Sequence, residues 1–231
     1  MFVVRSWNVF HGNAVPPTRR GHLREMIELA TADAPGALLL QEVPVWALRR
    51  LREWSGMEAH PLVARPPRRP SAAAVWLTRQ HNGLFRSRLG GQAIAVLVDR
   101  KHASEDLGGT QVSDPGRERR VVQAVRIQGI GVVANTHLSQ MSTPHEARQA
   151  ELDRVREFVE RVARPGEPRI IGGDLNLIHP VLAGYEGGGD GIDHVLVAGL
   201  PADPLTVWPA SRRVQNAVVL SDHAPVERVI G

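Results

Sequence analysis

Along the 231 residues, short apolar runs rich in β-branched side chains are interrupted by polar breaks. They cover Phe2–Val4, Ala37–Leu40, Ala72–Leu77, Ala93–Val98, Val121–Ile127, Gly131–Asn135, Ile170–Gly172, His194–Val197 and Ala224–Val229. Runs of this length predict strands, several of them buried on both faces. Helical spacing is confined mainly to His22–Thr31, Val45–Trp54 and Pro144–Val162. In the last, Ala147, Leu152, Val155, Phe158, Val159 and Val162 share a face, while Arg and Glu residues such as Arg148 and Glu151 mostly point elsewhere. Thr143, Pro144 and Glu146 predict a capped start to that helix. Many strands with few interleaved helices predict an α/β sandwich, sheets packed on each other and covered by helices, rather than a strictly alternating doubly wound sheet. Ala64–Pro70, Ser104–Glu118 and Gly184–Gly191 read as loops. None is long enough to separate two cores, so one domain over residues 1–231 is expected.

Composition adds exclusions more than identity. The chain has no cysteine, which excludes disulfides, thiolate metal sites and a cysteine nucleophile. Lys plus Arg number 28 against 24 Asp plus Glu, and Lys101 is the only lysine. Guanidinium forks suit phosphate oxygens, yet an Arg, Ala, Gly, Pro and Val bias is equally a mark of a GC-rich genome, so charge alone names no substrate. The N-terminus has no basic and apolar leader pattern, and no run approaches the roughly 18 apolar residues of a membrane span. A soluble, cytoplasmic protein with no obligate protein partner is the expectation.

Polar, metal-competent residues recur where apolar runs end. Asn8 follows Val3, Val4 and Trp7; Glu42 follows Leu38–Leu40; His137 follows Val132–Ala134. Asp174 and Asn176 follow Ile170 and Ile171, Asp193 precedes Val195–Val197, and Asp222 with His223 precedes Ala224 and Val226. Singly, each is more often a turn former or cap. Together, at strand ends on one rim, they describe a cleft of carboxylate, amide and imidazole groups. Such oxygen donors suit Mg²⁺ or Mn²⁺ better than zinc, with Glu42 as principal ligand and Asn8 and Asp222 close by. His223, its tautomer fixed by Asp193, suits proton transfer, and Asp174 is a second candidate for orienting or deprotonating a water. Asn176 and His137 can donate hydrogen bonds to a phosphoryl group.

The segments Ser6-Trp7-Asn8-Val9, Leu40-Gln41-Glu42-Val43, Asn135-Thr136-His137-Leu138, Gly173-Asp174-Leu175-Asn176, Ile192-Asp193-His194-Val195 and Ser221-Asp222-His223 resemble, in order, the motif series of the endonuclease/exonuclease/phosphatase superfamily. That group includes DNase I, exonuclease III, bacterial sphingomyelinases, inositol polyphosphate 5-phosphatases and deadenylases. The resemblance implies a four-layer α/β/β/α sandwich, two packed mixed sheets flanked by helices, and divalent metal-dependent cleavage of a P–O bond. It also implies Glu42 and Asn8 at the metal, Asp174 and Asn176 at the nucleophile and phosphate, His137 on a phosphate oxygen, and Asp193 with Asp222 supporting His223. The base is left open between Asp174 and His223. His137 in Asn-Thr-His-Leu looks like the DNase I, sphingomyelinase and deadenylase branches rather than the exonuclease III branch. Only 16 residues separate Asn176 from Asp193, which implies an open cleft.

The leading expectation is a nuclease of low sequence specificity. Arg65, Arg68, Arg69, Arg79, Arg86 and Arg88 would flank one rim, and Arg117, Arg119 and Arg120 another. With a single tyrosine, recognition should be mainly of the backbone. The alternative is a phosphatase or phosphodiesterase for a small phosphorylated metabolite, phosphoinositide or lipid headgroup, enclosed by Tyr185, His179 and the glycine loop. A catalytically silent binding module is disfavoured because every metal and proton-transfer residue type is retained.

Overall fold

The computed structural model describes residues 1–18, 20–67, 76, 90–188 and 191–231. In chain order its strands are β1 (Phe2–Asn8), β2 (Ala14–Val15), β3 (Ala37–Val43), β4 (Glu58–Arg65), β5 (Gln92–Val98), β6 (Ser104–Gln111), β7 (Val121–Ile127), β8 (Gly131–His137), β9 (Arg169–Asp174), β10 (Asp193–Ala198), β11 (Thr206–Val207), β12 (Val214–Gln215), β13 (Val218–Leu220) and β14 (Val226–Ile230). The helices are α1 (Leu23–Thr31), α2 (Leu51–Ser55) and α3 (His145–Val162).

Two mixed sheets form the body. One has six strands in the order β11-β14-β1-β3-β5-β4, the other five in the order β10-β9-β8-β7-β6, and a small third sheet joins β12, β13 and β2. Because side chains alternate along a strand, a strand with two covered faces feeds two different layers. Leu38 and Leu40 pack under α1 and α2 with Met26, Ile27 and Leu51, whereas Leu39 between them meets Val96, Val133, Ile170 and Val195 from both sheets. On the far side Val132, Ala134 and Ile171 meet Leu152, Val155 and Val159 of α3. The result is the four-layer α/β/β/α sandwich.

Several expectations need correction. Ser104–Glu118 is not all loop: Ser104–Gln111 is the edge strand β6, paired through its backbone to β7. Its polar sequence and Gly108 and Gly109 gave no hydrophobic pattern. Strand β4 was overlooked for a related reason: it is an edge strand containing Pro61, whose missing N–H an edge tolerates. Val45–Trp54 opens as a tight 3₁₀ turn over Val45–Arg50, and only the second half is α-helical. Helix α3 begins without a side-chain cap, Pro144 holding the cap position. Its Arg148 and Glu151, expected to point outward, turn inward and are buried. The strand expected over Ala72–Leu77 lies outside the described residues except for Trp76, which is helical and exposed. Among the described residues, no helix is long and apolar enough to cross a membrane.

Candidate active site

Strand register assembles the site. Strands β8, β9 and β10 are neighbours, and their pairing sets His137 beside Asp174 and Asp174 beside Asp193, a row of three polar residues at one sheet end. In the facing sheet β1 pairs with β3 so that Asn8 lies opposite Gln41, next to Glu42. The pairing of β3 with β5 is irregular between Leu40 and Val43, and Glu42 there has φ +56°. A bulge of this kind re-aims a side chain that regular pleating would send elsewhere. His11, Asn176 and Ser221 also have positive φ, at 53°, 50° and 62°. Left-handed backbone costs L-residues about 1–2 kcal/mol each, so its recurrence around one cleft marks a conformation that the surrounding fold enforces. Gly173 has φ +145°, and a Cβ there would lie 1.9 Å from the Thr136 carbonyl oxygen, so only glycine lets β8 and β9 close up beside Asp174.

Asp174 is the hub. Its Oδ2 accepts from Asn8 Nδ2 at 3.0 Å, lies 3.3 Å from His137 Nε2 and 3.8 Å from His223 Nε2, while its Oδ1 accepts from the Asn176 N–H at 3.1 Å. Burial, reinforced by the Asp193 charge, raises the Asp174 pKa well above the usual carboxylate range. His223 Nδ1 donates to Asp193 Oδ2 at 2.8 Å. Burial disfavours the His223 cation, but the bond to Asp193 and the charges of Asp193, Asp174 and Asp222 outweigh it and raise the ring to about 9. The His223 loop is pinned by Ser221, whose hydroxyl donates to the Asn8 carbonyl at 2.7 Å and accepts from the His223 N–H at 3.1 Å. Trp7 Nε1 donates to the His223 carbonyl at 3.0 Å.

His137 behaves differently. Burial and the neighbouring Arg120 charge lower its pKa to about 3, so the ring is neutral. Gln92 Nε2 stands 3.4 Å from its Nδ1 and can donate only if that nitrogen is bare, which leaves the proton on Nε2, facing Asp174. Glu42 is paired to His11, Nε2 to Oε2 at 3.1 Å. Burial alone would raise the Glu42 pKa, but the hydrogen bond and charge of His11 dominate and hold it below the usual range. Asp222 is exposed at the mouth.

His11 and Gln92 were not among the residues expected from sequence. His11 lies in a loop three residues after Asn8, and Gln92 opens a strand, so neither position carries a local signal. Gln41 and Asn135 are fully buried, and their role is structural. Asn135 Oδ1 accepts from Gln41 Nε2 at 2.7 Å, and Asn135 Nδ2 donates to the Leu40 and Ala95 carbonyls at 2.9 Å each, tying the two sheets beneath the site. Arg148 and Glu151 explain their burial in α3. Glu151 accepts from the Ser139 N–H and hydroxyl at 2.8 and 2.7 Å, and Arg148 donates to the Asn176 carbonyl, so the helix steadies two site loops.

The expected substrate-binding residues separate. Arg120 is buried near His137, with Nη2 3.2 Å from Glu118 and Nε without a partner. Arg119 instead donates to the Val63 and Ala64 carbonyls at 2.9 Å each, fastening the end of β4. His179 is exposed on the loop three residues beyond Asn176. Tyr185 is not in the cleft: like Val162 and Ala163 it packs against the core under α3, with the Arg169 guanidinium 5.9 Å from its ring centre. Arg169 opens β9 and Asp174 closes it, roughly 16 Å apart at about 3.3 Å per residue. The apolar pull of α3 on the ring outweighs the polar tip. Arg65 pairs with Glu118 and Arg117 with Asp114, both at 3.7 Å, and Arg68, Arg69, Arg79, Arg86 and Arg88 lie outside the described residues.

The sequence profile of the endonuclease/exonuclease/phosphatase family matches residues 6–223. The chain belongs to that family. No curated protein sequence matches it. Similar solved structures include a conserved protein of unknown function from Enterococcus faecalis, with 13% identity, TM-score 0.73, and coverage of 100% of this chain and 99% of that one. TDP2 from Caenorhabditis elegans has 19% identity, TM-score 0.65, and coverage of 99% and 74%. The mannosyl-6-phosphatase of Bacteroides thetaiotaomicron has 14% identity, TM-score 0.68, and coverage of 100% of both chains. At these identities the likeness is one of fold. Members of the endonuclease/exonuclease/phosphatase family are phosphoester hydrolases, generally dependent on a divalent metal.

The donor set fits a cation. Glu42, Asp174, Asp193 and Asp222 converge electrostatically, and Asp193 Oδ1 is buried without a partner. Among the described residues, Asp174, Asp193 and His223 offer ligand atoms within 4.8 Å of one another. That trio differs from the Glu42, Asn8 and Asp222 set expected from sequence. Its His223 nitrogen nearest Asp193 is already committed to a hydrogen bond, which a metal would have to displace, whereas Glu42 stays ionised, with only its Oε2 paired to His11.

Proposed function

We propose that the chain is a divalent metal-dependent phosphoester hydrolase whose leading substrate is a nucleic-acid phosphodiester, bound with low sequence specificity. The observation that carries the reading is the Asp193–His223–Asp174 arrangement beside a charged Glu42. Glu42, with Asn8 and Asp222, would hold Mg²⁺ or Mn²⁺, which when bound neutralises charge growing on the phosphoryl oxygens. Asp174 Oδ2, ringed by Asn8, His137 and His223, accepts the proton of the attacking water. His223 Nε2–H, kept charged by Asp193, gives its proton to the departing oxygen. His137 Nε2–H and the Asn176 amide bind non-bridging oxygens, and Arg120 adds positive charge behind His137.

A second reading, hydrolysis of a small phosphoester, is favoured by the pairing of Arg65 and Arg117 to carboxylates, which lowers the positive charge left for a polyanion. The mannosyl-6-phosphatase of the same fold points the same way. The test is turnover of duplex and single-stranded DNA, RNA, bis-p-nitrophenyl phosphate, inositol phosphates and mannose 6-phosphate with Mg²⁺ or Mn²⁺, using Glu42→Ala as the control for contamination. Metal-dependent nucleic-acid cleavage that the variant lacks supports the nuclease. Inert nucleic acids with an active small ester replace it with the second reading, and no turnover of any substrate overturns both.

A further inference from the structure

On the Glu42 side of the cleft lies a cavity of about 460 Å³, walled by Leu23, Trp46 and Trp54, with Arg24 and Arg50 at its edge and His11 in its lining. The volume falls within the range of small-molecule pockets. Trp46 and Trp54 meet edge to face, centroids 6.2 Å apart, and both are half-buried against the core beneath α1. Covering that core explains their inner edges but not the open cavity that both rings line. Arg24 pairs with Glu28 at 2.7 Å and Arg50 with Glu53 at 2.8 Å, and both pairs are exposed, so either guanidinium can be exchanged to another partner at little cost. His11 links the cavity to the chemistry: its Nε2 meets Glu42, while its Nδ1 is buried without a partner.

We propose that this cavity is a nucleobase subsite. The base of the nucleotide bearing the reacting phosphate stacks on the face of one of the two nearly perpendicular indoles, Trp46 and Trp54, and meets the other edge-on, flanked by the planar guanidinium groups of Arg24 and Arg50. A base offers what the cavity lacks, an apolar plane for the indoles and an edge N–H for His11 Nδ1. Inorganic phosphate offers neither. The assignment rests on the phosphoesterase reading and narrows its substrate to nucleotides, held by one stacked base and otherwise by the backbone.

The test is titration calorimetry of the full chain with 5′-AMP, ribose 5-phosphate, mannose 6-phosphate and inorganic phosphate in the presence of Mg²⁺. The expected result is 5′-AMP binding at least about tenfold more tightly than ribose 5-phosphate, the gain of one stacked base. Trp46→Ala and Trp54→Ala should each erase most of that advantage while leaving inorganic phosphate affinity unchanged, and Trp54→Phe should keep it. Equal affinity of the native chain for the two ligands overturns the proposal without any variant. Tighter binding of mannose 6-phosphate makes the cavity a sugar subsite and also overturns it, as does an advantage that survives both alanine variants. Metal-dependent turnover of the substrate panel above by the same preparation is read separately: no turnover of any substrate sinks the phosphoesterase reading, while the calorimetry still decides the subsite.

Discussion

Strand β1 carries two polar clusters three residues apart, and they solve the problem of buried charge in opposite ways. Around Arg5, which is 1% exposed, Asp33 accepts at 2.7 and 2.8 Å and Glu227 at 2.8 Å. Arg212 adds a contact to Asp33 at 2.9 Å, and Trp208 lies between the two guanidinium groups, 4.4 Å from Arg5 and 3.4 Å from Arg212. Two cations face two anions. Around Asn8, four carboxylates share their space with one strongly basic histidine, His223, and a neutral one, His137. Asp193 Oδ1 and His11 Nδ1 are left without partners. A balanced cluster holds the fold together; an unbalanced one, kept in place by strained backbone, is what the proposed cation and substrate would complete.

That contrast can be broken most sharply at the catalytic end. His223→Ala and Asp174→Ala should lower kcat on a diester by a factor on the order of 10² to 10⁴, the range of lost acid–base assistance, with the fold retained in both and a melting temperature for Asp174→Ala equal to or above that of the native chain. Unchanged kcat in His223→Ala would remove it from proton transfer. Arg5→Ala should do the reverse. Denaturant unfolding should show a loss of about 3 kcal/mol, the lower end for breaking a buried pair because Asp33 is half exposed, with kcat per folded molecule intact. A catalytic defect there would mean that β1 transmits strain between the clusters.

Glu42→Ala should raise the half-saturating Mg²⁺ concentration by about tenfold or more, since even partners that do not touch a metal cost 10- to 100-fold. Metal titration of activity reads this directly, and an unshifted titration would move the cation to the Asp174, Asp193 and His223 trio.

The smallest effect is one of sign. In chelator, the raised His223 pKa adds stability that is complete below the unfolded value near 6.5 and is lost as pH climbs through about 9. The hydrogen bond from Arg5 lowers the Asp33 pKa, so that cluster adds stability above the unfolded value near 3.8 and loses it as pH falls. Melting temperature should therefore drop at both ends. His223→Gln should flatten only the alkaline limb and Arg5→Met only the acid one; either variant flattening both would deny that the clusters are independent.

Much of this was legible in the sequence because buried strands announce themselves. The runs at Ala37–Leu40, Ala93–Val98, Val121–Ile127 and Gly131–Asn135 all became core strands, and Asn8, Glu42, His137, Asp174, Asp193 and His223 stood out because they flank such runs. Edge strands β4 and β6 did not, since backbone pairing alone holds them and demands little of their side chains. Tyr185 and Arg119 were drawn toward the site by residue type, and the structure gives them to the α3 core and the end of β4. His11, Gln92 and the inward turn of Arg148 and Glu151 left no trace in periodicity, which reports what one segment buries, not what it meets. Sequence by itself determined the layers and the chemical inventory of the cleft. Only the tertiary structure decided the wiring, because register across β8, β9 and β10 and the bulge at Glu42 fix which carboxylate faces which histidine, and those distances arise between segments as far apart in the chain as Asn8 and Asp174.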